Sequence, residues 1–249
     1  MLLSTGQFYD QGAAAPTDPH FSSVVLLVAF DGADGATSAT DDSSAHRTLT
    51  FVGNAQIDTA QSKFGGASLL LDGSADAVTA ADSADWHFGT GQFTLECWVR
   101  FNALPTGLSQ GDKFLAQWAV TPQLSWAFGR PDASASELNF ICSTDGSAIS
   151  TTVTTSGAGI TTGTWFHVAC DRDASNKVRI YVDGVMRGSA TGVTDNFVDA
   201  SGVMAIGSES SGAARSLNGW IDEARITKGV ARYASDSGFT PPTAAFPRS

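Results

Sequence analysis

At 249 residues the chain can bury one large core or two small ones, and all-β sandwiches commonly reach this length as a single unit. Its 25 acidic against 14 basic side chains give a formal net charge of −11, which argues against nucleic acid and anionic membrane surfaces as partners. Charged residues make up only 16% of the chain, and the small residues Gly, Ala, Ser and Thr that replace them suit short strands and tight turns.

Residues 1–22 read differently from the rest. The stretch QGAAAPTDPH is rich in Ala and Pro without alternation, and it reads as an extended N-terminal arm. From Val24 onwards, apolar runs alternate with turn residues. VVLLVAF ends at Asp31-Gly32, and ASLLLDG ends at Asp72-Gly73. FTLECWVRF puts Phe93, Leu95, Cys97, Val99 and Phe101 on one face and Thr94, Glu96, Trp98 and Arg100 on the other. KFLAQW, LSWAFG, ELNFICS and WFHVACD follow. In KVRIYVDGVMRG, Val178, Ile180 and Val182 alternate with Arg179 and Tyr181, and Asp183-Gly184 supplies the positive φ angles of a tight hairpin. VMAIGS and LNGWIDEARI complete about ten runs, a spacing that predicts a sandwich or barrel rather than βαβ units. Only DSADWHF and KGVARYA could form a short helical turn. Gly219 marks a place where a bulky ring is expected to cross close to backbone.

Cys97, Cys142 and Cys170 give an odd count, and each lies in an apolar run, which predicts small buried thiols rather than a disulfide framework. MLLSTGQFYD lacks the features of a signal peptide, and Val24–Phe30 is too short to cross a bilayer. A soluble chain folded in a reducing cytoplasm is expected.

The order of KFGGASLLLDG, GQFTLECWVRF, GTWFHVACDRD, VRIYVDG, MAIGS and LNGWIDEARITKGVARY resembles that of the concanavalin A-like, laminin G-like jelly-roll family. The resemblance runs from about Val24 to Tyr233. It implies an all-β fold of two antiparallel sheets, with a jelly-roll domain over residues 23–249 behind the arm at 1–22. The last strand is expected beside the first, bringing the chain ends together. ITKGVARYASDSGFTPPTAAFP resembles the ending of laminin G-like modules in tailed-bacteriophage structural proteins. Pro241-Pro242, Phe239 and Phe246 are expected to lay that tail across the sandwich.

Some relatives are glycoside hydrolases, whose chemistry needs two carboxylates flanking the scissile bond. Glu96 has no acidic partner at 94 or 98, adjacent Asp222 and Glu223 would point to opposite faces of a strand, and Glu137 and Glu209 stand alone. Neither His20, His46, His87 nor His167 sits beside a nucleophile motif, and His167 reads as a structural strand residue. No catalytic or cofactor-binding residue is assigned, and the chain is expected not to be an enzyme. For a metal, the resemblance points to a rim Ca²⁺ held by Asp41, Asp42, Ser43 and Asp222, against the alternative that Asp-Asp-Ser is a solvated turn and Asp222 caps a backbone turn; no metal ligand is assigned. Most of the six tryptophans read as packing residues.

The expected function is therefore that of a non-enzymatic virion structural protein, made in the host cytoplasm and decorating a phage capsid or tail. It would contact other virion proteins through Phe8, Tyr9 and Phe21 of the arm, and a cyclic homo-oligomer is the expected assembly. A surface glycan is a further candidate partner, and a free-standing carbohydrate-binding lectin module is the alternative.

Overall fold

The computed structural model describes residues 17–104, 111–132, 134, 136–210 and 215–249. After a 3-10 turn at Phe21–Ser23 come β1 (Val24–Val28), β2 (Leu49–Val52), β3 (Gln56–Asp58), β4 (Ser68–Asp72) and β5 (Ala77–Ala80). A second 3-10 turn, Ala84–Trp86, precedes β6 (Phe93–Phe101), β7 (Lys113–Trp118), β8 (Leu124–Gly129), β9 (Asn139–Cys142) and β10 (Thr151–Thr154). The chain continues through β11 (Trp165–Arg172), β12 (Val178–Val182), β13 (Val185–Ala190), β14 (Met204–Ile206) and β15 (Asn218–Lys228). DSADWHF thus holds its expected turn, whereas KGVARYA forms none.

The strands make two antiparallel sheets. One has the order β13-β12-β11-β6-β15-β4-β3, with β1 also on β15, and the other runs β10-β9-β8-β7-β14-β5-β2. The core lies between them. Phe93, Leu95, Cys97, Val99 and Phe101 of β6 meet Phe114, Trp126, Phe128 and Phe140 of the opposite sheet there. The alternation in FTLECWVRF thus selects the face that is buried. The Asp183-Gly184 hairpin has φ of 48° and 75°, the mirror-image turn that suits strand twist.

β15 organises the first sheet. Along one side it pairs with β6; along the other, Asn218–Ile221 pair with β4 and Ala224–Thr227 with β1. The last strand therefore lies beside the first, and the amide of Asp18 donates to the carbonyl of Ser249 at 2.7 Å. At the junction the register shifts between Asp222 and Arg225, and Glu223 takes φ 51°. This bulge breaks the simple alternation expected for Asp222 and Glu223. Asp222 sits opposite outward-facing Trp98, and the extra residue Glu223 accepts from Phe246 and Arg248 of the tail on the same outer side.

Gly219 does mark a close approach, but backbone occupies the space rather than a ring. A Cβ there would stand 2.1 Å from the Arg100 carbonyl oxygen of β6. Because paired strands cannot separate without losing their hydrogen bonds, Gly219→Ala is expected to cost about 1–3 kcal/mol, read as a fall in the denaturation midpoint.

All three cysteines are buried free thiols, and burial pushes their ionisation upwards, that of Cys142 to about 12. A native sample should therefore take up no alkylating label within minutes, and a denatured one should take up three per chain.

Candidate functional site

Pairing across the second sheet defines its outer face. Thr50, Thr79, Ala205, Ala116, Ala127, Ile141 and Thr152 form one row across seven strands, all pointing away from the core. Trp118 and Leu124 flank that row on one side, and Lys113, Gly129, Asn139 and Thr154 on the other. The outward strand positions among the described residues carry no carboxylate, so this floor offers neither a general acid nor a nucleophile for glycosidic cleavage. Lys113 is buried at its end. Its Nζ donates to the Arg130 carbonyl at 2.8 Å and to Asn139 Oδ1 at 3.3 Å, and burial lowers its ionisation to about 8.

The outer face of the first sheet is half covered by the C-terminal tail. Phe239 and Phe246 both lie across it, as the sequence led us to expect. The Phe239 ring stacks on Tyr233, with centroids 3.5 Å apart, and meets His167 and Tyr181 edge-on. Phe246 packs on Val24 and Leu27, with the Arg225 guanidinium 3.9 Å from its ring centroid. Beneath lies a buried ionic network. Glu96 accepts from Arg225 Nε at 2.9 Å, from the Tyr233 hydroxyl and from His167 Nε2 at 3.2 Å. Burial alone would raise the Glu96 carboxyl, but the Arg225 charge and these donors outweigh it and hold it at about 2. Asp18 extends the network, with Oδ2 3.1 Å from Arg225 and 2.7 Å from Arg232.

His167 is thus a structural residue under the tail. Phe21, expected to anchor the arm to a partner, is instead half-buried beside Val24, Leu27 and Phe246 of its own domain. The reason is Asp18, whose ion pairs draw residues 17–22 onto the sheet edge. Phe8 and Tyr9 lie outside the described residues.

The four residues weighed for Ca²⁺ have separate duties. Asp41 is spent on the amides of Leu27, Ser43 and Arg47 and on the Ser43 hydroxyl. Asp42 pairs with Arg248 at 2.8 Å. Asp222 Oδ2 accepts from the amides of Lys63 and Phe64, and Oδ1 is buried without a partner. Burial, and then the charges of Glu223 and Asp31, push its carboxyl up to about 7. No group of three or more His, Cys, Asp or Glu among the described residues is arranged to hold a metal. A cleft beside Asp42 is lined by Ala29, Phe30, Asp31, Thr40, Asp42 and Arg248; at about 210 Å³ it is smaller than the ~300 Å³ of the smallest usual ligand sites.

Of the tryptophans, Trp86 and Trp126 are in the core, and Trp118 is buried on the outer face of the second sheet. Trp98 is buried on the outer face of the first sheet, beneath Lys63 and against the edge of Phe64. Trp165 and Trp220 are only half-buried, which alternation alone did not distinguish.

A family model described as the concanavalin A-like lectin/glucanases superfamily, of laminin G type, matches residues 72–233. No curated protein matches the sequence. Among solved structures, domain 4 of AbnA, an extracellular GH43 arabinanase of Geobacillus stearothermophilus in complex with arabinotriose, superposes with a TM-score of 0.61 at 20% identity, covering 83% of this chain and 93% of that domain. The binding domain of Paraclostridial mosquitocidal protein 1 superposes with a TM-score of 0.62 at 13% identity, over 85% of this chain and 50% of that one. The receptor binding domain of botulinum neurotoxin type G gives 0.60 at 13% identity, over 84% and 49%. This chain spans about half the length of the two toxin domains, and at these identities the likeness shows a shared fold. With two antiparallel sheets, almost no helix and a family match over most of its length, the chain belongs to the concanavalin A-like lectin/glucanase superfamily.

Proposed function

We propose that this chain is a non-catalytic recognition module that binds carbohydrate. The carrying observation is the outer face of the second sheet, a floor of Ala, Thr and Ile with no carboxylate at its outward strand positions. A cleaving enzyme needs two acids at a set separation. Asp222 and Glu223, adjacent buried acids, lie under the Lys63–Phe64 loop and the tail, each 1% exposed, out of reach of a sugar. AbnA domain 4, a similar fold that covers this chain closely in length, is solved with arabinotriose. A glycan array probed with the whole chain tests the reading: saturable binding to a set of glycans supports it, and no signal above background on any glycan removes it.

The place of the module is read as the surface of a tailed-bacteriophage virion, on capsid or tail. What favours this is the C-terminal ITKGVARY…TPP segment, which resembles phage modules and here forms part of the fold. Attachment is assigned to residues 1–16, since Asp18 and Phe21 belong to the domain. Mixing the chain with particles that lack it should give symmetric density by electron microscopy, and a chain starting at residue 17 should not decorate. Bare particles with the full chain would remove the virion reading while leaving carbohydrate recognition standing.

A further inference from the structure

The tail and the Lys63–Phe64 loop leave part of the first sheet's outer face open, and one row of side chains crosses that part. Trp165 of β11 stands opposite Arg100 of β6, Arg100 opposite Trp220 of β15, Trp220 opposite Leu70 of β4, and Leu70 opposite Gln56 of β3. All five are half-buried, whereas His167, Trp98 and Asp222 in the next row are fully buried. Neighbouring strands lie ~4.8 Å apart, so the backbone positions of Trp165 and Trp220 stand roughly 10 Å apart with Arg100 between them.

Two features show that this row is held ready. Trp220 is oriented by its indole N–H, which donates to Asp58 Oδ2 at 2.7 Å. Arg100 donates through one terminal nitrogen to the Gly163 carbonyl, and its guanidinium carbon lies 5.9 Å from the Trp220 ring centroid. Its Nε is buried without a partner, and its second terminal nitrogen makes no hydrogen bond among the described residues, which leaves donor capacity that the fold does not use.

Charge distinguishes the row further. Most arginines of this acidic chain are matched to carboxylates: Arg130 with Asp112, Arg179 with Asp173 and Asp236, Arg225 with Glu96 and Asp18. No carboxylate among the described residues pairs with Arg100. Nor does one pair with Lys63, whose Nζ lies 3.9 Å from the ring centroid of Trp98, two residues from Arg100 on the same face. In a chain of net charge −11, this places one unmatched cation between the half-buried indoles and a second over the buried indole of the next row.

We infer that the Trp165–Arg100–Trp220 row is a binding site for a saccharide bearing a carboxylate, of the uronic or sialic acid class. Indole faces pack against the C–H faces of a sugar ring, and a planar guanidinium donates two parallel hydrogen bonds to a carboxylate. The amide of Gln56 at the end of the row is placed for sugar hydroxyls. The inference rests on the carbohydrate-binding reading and adds the ligand class and its place.

The test titrates the whole chain, by calorimetry and tryptophan fluorescence, with oligomers of galacturonate, glucuronate and sialate. Neutral oligogalactose, a sulfated galactose oligomer and an acidic peptide are the comparison arms. One of the carboxylated sugars should bind at least tenfold more tightly than oligogalactose and the peptide, with a change in indole fluorescence. Arg100→Gln should lose at least tenfold on that sugar. Arg100→Lys should recover only part, because it keeps the charge and loses the fork. Lys63→Gln, further from the row's centre, should lose less. Unchanged melting of each variant confirms that folding is intact. Equal binding of neutral and carboxylated sugars, full affinity in Arg100→Gln, preference for the sulfated oligomer, or equal binding of the peptide would overturn the inference. A chain that binds neutral array glycans but none of the three acids refutes this site while carbohydrate recognition stands. A chain silent on every glycan refutes both.

Discussion

Glu96→Ala should lower the stability of this protein by about 3–5 kcal/mol, measured as a shift of the urea denaturation midpoint with little change in slope. The carboxylate is completely buried, and it is the shared acceptor for Arg225, Tyr233 and His167. Removing it leaves a guanidinium whose side chain is 6% exposed with only Asp18 as counter-charge. Breaking a buried pair from one side costs more than the pair contributes, because the remaining charge has lost both water and partner. The pH dependence gives an independent reading. Glu96 is held at about 2, against 4.5 for the free carboxyl. A depressed carboxyl contributes stability that is present above its unfolded value and is lost as pH falls through the folded one. That contribution, on the order of 3 kcal/mol at neutral pH, should disappear between about pH 4.5 and 2. In Glu96→Gln, which keeps the shape and loses the charge, this part of the acid limb should flatten. Asp222 works in the opposite sense. Burial raises it to about 7, so its cost grows as pH rises from 3.8 towards 7.

Phe246→Ala should cost a similar amount, about 3–5 kcal/mol. The ring is 2% exposed, fills the space between Val24, Leu27 and Phe21, and lies under the Arg225 guanidinium. Its backbone amide donates to Glu223 at 2.9 Å, and Arg248, two residues on, also binds Glu223. Once the ring is gone, nothing holds this stretch of tail down except polar bonds that water can replace. The effect should reach beyond one cavity. Amide exchange should accelerate in the Glu223 bulge and around His167, while amides of the second sheet, on the far side of the core, keep their protection. The tail's other attachment offers a comparison. The Phe239 carbonyl lies where a Cβ of Gly184 would be, 1.9 Å away, and the Phe239 amide donates to the Gly184 carbonyl. Gly184→Ala should thus release the tail from the hairpin without touching Phe246.

Both results depend on features that sequence patterns revealed unevenly. The face of FTLECWVRF that meets the core followed directly from alternation, since a strand with one buried side has only one way to place Phe93, Leu95 and Cys97. The hairpin at Asp183-Gly184 was equally legible, because few residue pairs tolerate two positive φ angles. Four strands were not: LTFV, QID, AVTA and TTVT, which became β2, β3, β5 and β10. Three of them lie at sheet edges, and all are three or four residues long, too short for a period to show.

The site was harder to read for a physical reason. Expecting Asp222 and Glu223 on opposite faces assumed an unbroken strand, and only the bulge, made where β1 and β4 share β15, turns both outward. Phe21 carries no local sign that it belongs to the domain; that follows from Asp18 meeting Arg225 and Arg232, over two hundred residues away along the chain. Likewise, Trp165 and Trp220 look like the other tryptophans until strand register aligns them with Arg100. Long-range pairing decides each of these.

As proposed above, the chain holds carbohydrate without cutting it. The direct test is to incubate the whole chain, over days and across pH 4–8, with the glycan it binds best on an array, and to analyse the sugar by mass spectrometry. Recovery of the glycan at its original length, with binding retained, is the expected result. Shorter oligosaccharides accumulating in proportion to protein and time would contradict it, and would mean that carboxylates outside the second sheet's outer face perform a cleavage for which that face has no acid.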